Sequence, residues 1–181
     1  YHLNQFPDLK TIGITGSNGK PVVKEWLYQS LNEDFSVVKS PKSFNSQLGL
    51  PLSLLQITDK NEIGIFEVGI SKPHEMQKLE SIFSPKIGIL THIGTAHLSN
   101  FENENQLLDE KLKLFENTDL LFYNGDLQLV RDKIQEKYTD RKTISYGLKK
   151  ENDVHIVNDW KDRKQNIQVQ YFEEILEFPV Q

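Results

Sequence analysis

None of the 181 residues is cysteine, so neither a disulfide framework nor a thiolate metal site can form, and a reducing, cytoplasmic setting is expected. No apolar run is long enough for a membrane span, and the mean hydropathy of -0.52 agrees. Basic residues are not concentrated. Lys and Arg number 21 against 26 Asp and Glu, a formal charge of -5 with the signs interleaved, which argues against a broad nucleic-acid surface but leaves room for a nucleotide in a local pocket. An initiator Met and a signal-peptide pattern are missing from Tyr1-His2-Leu3-Asn4, and the chain stops at Gln181 without a cap. On this ground it is expected to be one excised domain, truncated before its C-terminal end. Internal repeats and low-complexity segments do not stand out.

What is present alternates short apolar runs with amphipathic stretches, the pattern of βα units around a mainly parallel sheet. Strands are predicted over Thr11 to Thr15, Phe35 to Val38, Ile63 to Glu67, Ile87 to Thr91 and Leu120 to Tyr123. Helices are predicted over Lys20 to Leu31, around Met76, Leu79 and Ile82, over Gln106 to Glu116, and around Leu127 to Tyr138. Beyond Thr143, short strands at Thr143 to Tyr146, Val154 to Val157 and Ile167 to Tyr171 predict a small antiparallel extension. The expected fold class is α/β, a doubly wound, mainly parallel sheet with a phosphate loop. Trp26 and Trp160 are expected to pack, and His2 and His155 to lie on the surface.

Thr15-Gly16-Ser17-Asn18-Gly19-Lys20 follows a strand and opens a helix. In that context the backbone amides of Gly16, Ser17, Asn18 and Gly19 and the helix N-terminus can converge on phosphate oxygens, with Lys20 supplying a point charge. A phosphate loop normally follows its Lys with Ser or Thr, whose hydroxyl binds Mg²⁺. Here Pro21 follows, comfortable in a first helical turn but without hydroxyl or N–H. Glu67 ends a buried strand, where open α/β sheets bind ligands; an exposed strand-end carboxylate is the alternative. Lys111 falls among Leu107, Leu108, Leu112 and Phe115, which predicts either a buried, readily deprotonated amine or a stem packed on the core with its ammonium turned outward. His97 lies in a polar loop beside Gly94 and Ala96.

Five segments in order, Ile12 to Lys20 with Val23-Lys24-Glu25, Asn45 to Leu52, Phe66-Glu67-Val68-Gly69-Ile70-Ser71, Ile93 to Leu98 and Glu110 to Phe115, resemble the central ATP-binding domain of Mur ligases, in particular the MurF branch. The resemblance implies ATP and Mg²⁺ as cofactors and ATP-driven amide formation. A UDP-N-acetylmuramoyl-tripeptide carboxylate would be activated as an acyl phosphate and attacked by D-alanyl-D-alanine. It implies that Lys20 contacts the β and γ phosphates, that Glu67 holds one Mg²⁺ and His97 a second, and that Lys111 is carbamylated. Asn45 and Gln47 would lie on the substrate side, although polar caps before a helix account for them equally well. The family commonly has Gly at the position of His74 and Asn at that of His92. Its N-terminal UDP-sugar domain and its C-terminal domain have no counterpart here. A folylpolyglutamate synthase-like ligase and a scaffold that lost nucleotide binding through Pro21 are the alternatives.

Overall fold

The apolar run after Leu9 becomes β1 (Lys10–Thr15), buried at every position after Lys10. The computed structural model describes residues 2–94, 96, 98–157 and 166–178, and they fall into two units, Tyr1–Leu121 and Phe122–Gln181. In the first unit β1 is followed by α1 (Lys20–Leu31), β2 (Val37–Lys39), α2 (Gly49–Leu54), β3 (Ile63–Glu67), α3 (Met76–Glu80), β4 (Ile87–Leu90) and α4 (Glu104–Leu112). The strand order is β2-β3-β1-β4 and every pairing is parallel, with Ile14 opposite Glu67 and Thr15 opposite Leu90. Parallel neighbours need crossovers, which the helices supply.

Val23, Leu27, Tyr28 and Leu31 of α1 pack on Ile12, Ile14, Ile63 and Ile65, one face of the sheet. The alternation that sends these isoleucines toward α1 sends Glu67 the same way and Thr15 to the opposite face. Trp26, expected on the packed stripe, is 67% exposed, and Val22 is exposed with it. Of the predicted stripe, Val23, Leu27 and Leu31 do touch the sheet, joined by Tyr28 and by the buried Lys24 one helical turn before it. Ile82 and Phe35, expected inside a helix and a strand, lie outside α3 and β2 and are exposed. Asn103 caps α4 by accepting from the amide of Gln106, which starts that helix earlier than its apolar residues indicate.

The second unit holds β5 (Leu120–Asn124, which begins in the first), α5 (Gln128–Lys137), β6 (Lys142–Gly147), β7 (Val154–Ile156), β8 (Ile167–Tyr171) and β9 (Glu174–Phe178), with strand order β5-β6-β7-β8-β9. The antiparallel part is β7-β8-β9; β6 and β7 pair in parallel, so the extension starts one strand later than expected. β9 was not anticipated, because Glu174, Glu177 and the exposure of the whole strand leave no buried face to read. His155, expected on the surface, is buried on β7, its Nδ1 3.2 Å from the carbonyl of Asn152. His2 is half-buried, edge-on to Phe6. Trp160 lies outside the described residues. No described helix is long and apolar enough to cross a membrane.

Candidate nucleotide site

Two glycines shape the loop between β1 and α1. Gly19, the N-cap of α1, has φ 86, in the left-handed region that favours glycine. Gly16 has φ 148 and lies so close to Thr91 that a Cβ there would stand 1.9 Å from its Oγ1. Pro21 sits in the first turn of α1, where its missing N–H breaks no helical bond. The helix therefore forms without the hydroxyl that a Ser or Thr would have offered.

Lysines surround this loop. Lys20 folds back so that Nζ donates to the carbonyl of Gly16 at 2.7 Å, with that of Ser17 at 3.4 Å. From α4, Lys111 reaches the same Gly16 carbonyl at 3.1 Å. Lys111 is 2% exposed, so its amine points into the site and not outward past the core. Burial, together with the nearby Lys20 charge, pushes its pKa down to about 7. Burial also lowers Lys20, against a pull upward from Glu67.

Glu67 is fully buried at the end of β3, its amide donating to Ser40 Oγ at 3.1 Å. Lys24 Nζ stands 2.9 Å from Glu67 Oε1, an ion pair whose angles fall short of a hydrogen bond, while Oε2 finds no partner among the described residues. The Lys24 ammonium also donates to the carbonyls of Ser40, at 3.0 Å, and Lys42. The sequence brings in Lys24 only as part of Val23-Lys24-Glu25 and assigns it no role. Its position four residues after Lys20, in line with Tyr28 and Leu31, was the available signal.

Beside Lys20, Asn45, Gln47, Gly69, Ser71 and Glu75 line a cavity of about 340 Å³. Gln47 donates to Glu75 at 3.1 Å, and Glu75 also accepts from the amides of Ser71 and Lys72. Burial raises the Glu75 pKa, but those donors outweigh it and hold the carboxyl below its usual range. Neither Asn45 nor Gln47 caps α2; Ser46 Oγ accepts from the amide of Gly49 instead. His74 has φ 65, in the left-handed region, where a Gly would sit without strain. His92 is exposed and takes part through its backbone, bridging Asn18. His97 lies outside the described residues, and among those described no three His, Asp or Glu side chains cluster around a metal position.

Residues 14–181 match the Mur ligase middle domain. The chain belongs to that family. It is 38% identical over 115 residues to a UDP-N-acetylmuramoyl-tripeptide–D-alanyl-D-alanine ligase of Treponema pallidum, covering 64% of this chain and 25% of the relative. To the Bacillus subtilis enzyme of the same name it is 30% identical over 150 residues, covering 81% of the chain and 32% of the relative. The crystal structure of the Thermotoga maritima MurF ligase in complex with ADP superposes with a TM-score of 0.84 at 26% identity, over 97% of this chain and 41% of that one. The mixed sheet, mainly parallel with antiparallel strands at its C-terminal end, is thus that of the Mur ligase middle domain. The chain spans roughly a quarter to a third of the length of these curated relatives.

Proposed function

We propose that this chain is the ATP-binding part of a MurF-type amide ligase, working with portions of a longer enzyme that hold a UDP-N-acetylmuramoyl-tripeptide and D-alanyl-D-alanine. The observation that carries the proposal is the gathering of Lys20, Lys111 and Glu67 around the Gly16 to Lys20 loop at the carboxyl edge of the sheet. The relatives' names and the ADP bound to the Thermotoga maritima enzyme support the substrates.

In this reading the γ-phosphoryl group leaves ATP for the tripeptide carboxylate, giving ADP and an acyl phosphate. The dipeptide amine then attacks that carbonyl, and phosphate departs as the amide forms. Such chemistry depends on positioning and charge neutralisation, the tasks of Lys20 and of the loop amides other than that of Ser17, which donates to the carbonyl of His92. Lys20 would exchange the Gly16 carbonyl for phosphate oxygens. Lys111, about half deprotonated near pH 7, has the free amine that adds to CO₂: the N–C bond forms, the proton passes to water, and the carbamate brings anionic oxygens to the site. Glu67 fits Mg²⁺ because its buried Oε2 is a hard acceptor without a partner, and Mg²⁺ commonly needs only one or two carboxylates beside phosphate and water. Bound there, the cation would supply charge neutralisation to the phosphates. His97 is assigned to a second Mg²⁺, and Asn45 and Gln47 to the substrate side, through the cavity they share with Lys20.

Pro21 favours one rival, a domain that keeps the fold and has lost nucleotide binding. Calorimetric titration with ATP, with and without Mg²⁺, separates the two. Saturable binding by the unaltered chain, abolished in Lys20→Met and tightened about tenfold by Mg²⁺ in Pro21→Thr, is the expected result, a hydrogen bond to a charged group being worth about 1.5 kcal/mol or more. Absence of saturable binding in both the unaltered chain and Pro21→Thr would leave the scaffold.

A further inference from the structure

The outer side of the phosphate loop is open to solvent: Asn18 and Gly19 are exposed and Ser17 is half-buried. Its shape has to be held from beneath. The support comes from residues 91 to 94, which leave β4 next to β1. The carbonyl of His92 accepts from the amide of Ser17 at 2.8 Å and lies 3.5 Å from that of Asn18, and Ser17 Oγ donates to the carbonyl of Gly94 at 3.1 Å. Thr91 is the innermost of these supports and only 3% exposed. Its amide donates to the carbonyl of Thr15, ahead of the loop, at 2.8 Å. Its hydroxyl lies 2.7 Å from the carbonyl of Asn18, inside the loop, and 3.1 Å from that of Thr15. Its side chain also fills the space that a Cβ on Gly16 would need.

We infer that Thr91 is a positioning residue for nucleotide binding: its amide holds the carbonyl of Thr15 ahead of the phosphate loop while its hydroxyl donates to the carbonyl of Asn18 at the apex, so that the remaining amides face phosphate before ligand arrives. The inference rests on the nucleotide reading above and adds to it a residue that touches no ligand. A loop ordered beforehand loses less freedom when it binds. Without the hydroxyl the Asn18 carbonyl can turn to water, and the loop samples shapes in which its donors diverge.

Thr91→Val keeps the shape against Gly16 and removes the hydroxyl; Thr91→Ser keeps the hydroxyl. Titration with ADP is expected to show affinity down about tenfold in Thr91→Val, close to the unaltered chain in Thr91→Ser, and melting temperatures within about 3 °C of one another. Amide hydrogen exchange of residues 16–20 should quicken in Thr91→Val alone. Unchanged ADP affinity and unchanged loop exchange in Thr91→Val overturn the inference, as does an affinity loss that Thr91→Ser shares. If the unaltered chain binds no ADP, the nucleotide reading falls, while the exchange comparison still decides whether Thr91 holds the loop.

Discussion

Replacing Lys24 with methionine removes a charge from a place that water does not reach. Lys24 is 1% exposed and Glu67 0%. At their separation of 2.9 Å and an effective dielectric of about 20, the attraction is about 6 kcal/mol. Desolvation of the two ions offsets much of that, so the pair itself stabilises the fold little. Breaking it is another matter, because the surviving charge stays buried with a weaker partner, Glu67 keeping only the pull of Lys20 and Lys24 keeping Glu25 at 3.4 Å, at a cost of about 3 kcal/mol. Lys24→Met and Glu67→Gln are each expected to lose that much in urea-induced unfolding followed by circular dichroism, with melting temperatures down by roughly 10 °C. The double variant leaves no charge behind, and its loss should be smaller than the sum of the single losses by about 2 kcal/mol or more. Losses under about 1 kcal/mol in each single variant, adding in the double, would refute the argument and mean that the pair is solvated.

Two further expectations concern Lys111 and Trp26. The Lys111 amine has a pKa of about 7 when folded against 10.5 for the ordinary side chain, so between those values the unfolded chain holds a proton that the folded chain lacks. Stability then rises with pH through that window, by at most about 5 kcal/mol, and Lys111→Met should flatten the rise in urea titrations at pH 7, 8.5 and 10; an unchanged slope would place the amine in water. Trp26→Ser should shift unfolding by less than about 1 kcal/mol, as for an exposed residue, and a loss of the about 3 kcal/mol typical of a core tryptophan would contradict its exposure.

Much of this domain was written locally. Strand, glycines, lysine and helix follow one another between Thr11 and Leu31, and that order alone announces a phosphate loop, because the chemistry requires amides and an ammonium within a few residues. That the Lys111 stem packs was legible for a similar reason, since Leu107, Leu108 and Leu112 flank it on one helix, but whether its amine turned inward or outward stayed open until the Gly16 carbonyl met it. Parallel pairing followed from the spacing of strands and helices, which only crossovers can join. Where signals were short or balanced, expectation and structure part: Trp26 follows two valines and looks packed, but α1 meets the sheet through Val23, Leu27, Tyr28 and Leu31 and leaves Trp26 exposed.

What only the tertiary structure decided is which distant groups meet. Lys24 faces Glu67 because α1 crosses β3, 43 positions further along, and Ser40 joins them because β2 ends beside both. Thr91 reaches Asn18 because β4 lies next to β1. Sequence spacing carries the repeat of a helix or a strand, a local property of the backbone. Contacts between elements depend on how whole faces pack to leave water, and no stretch of the chain contains that arrangement by itself.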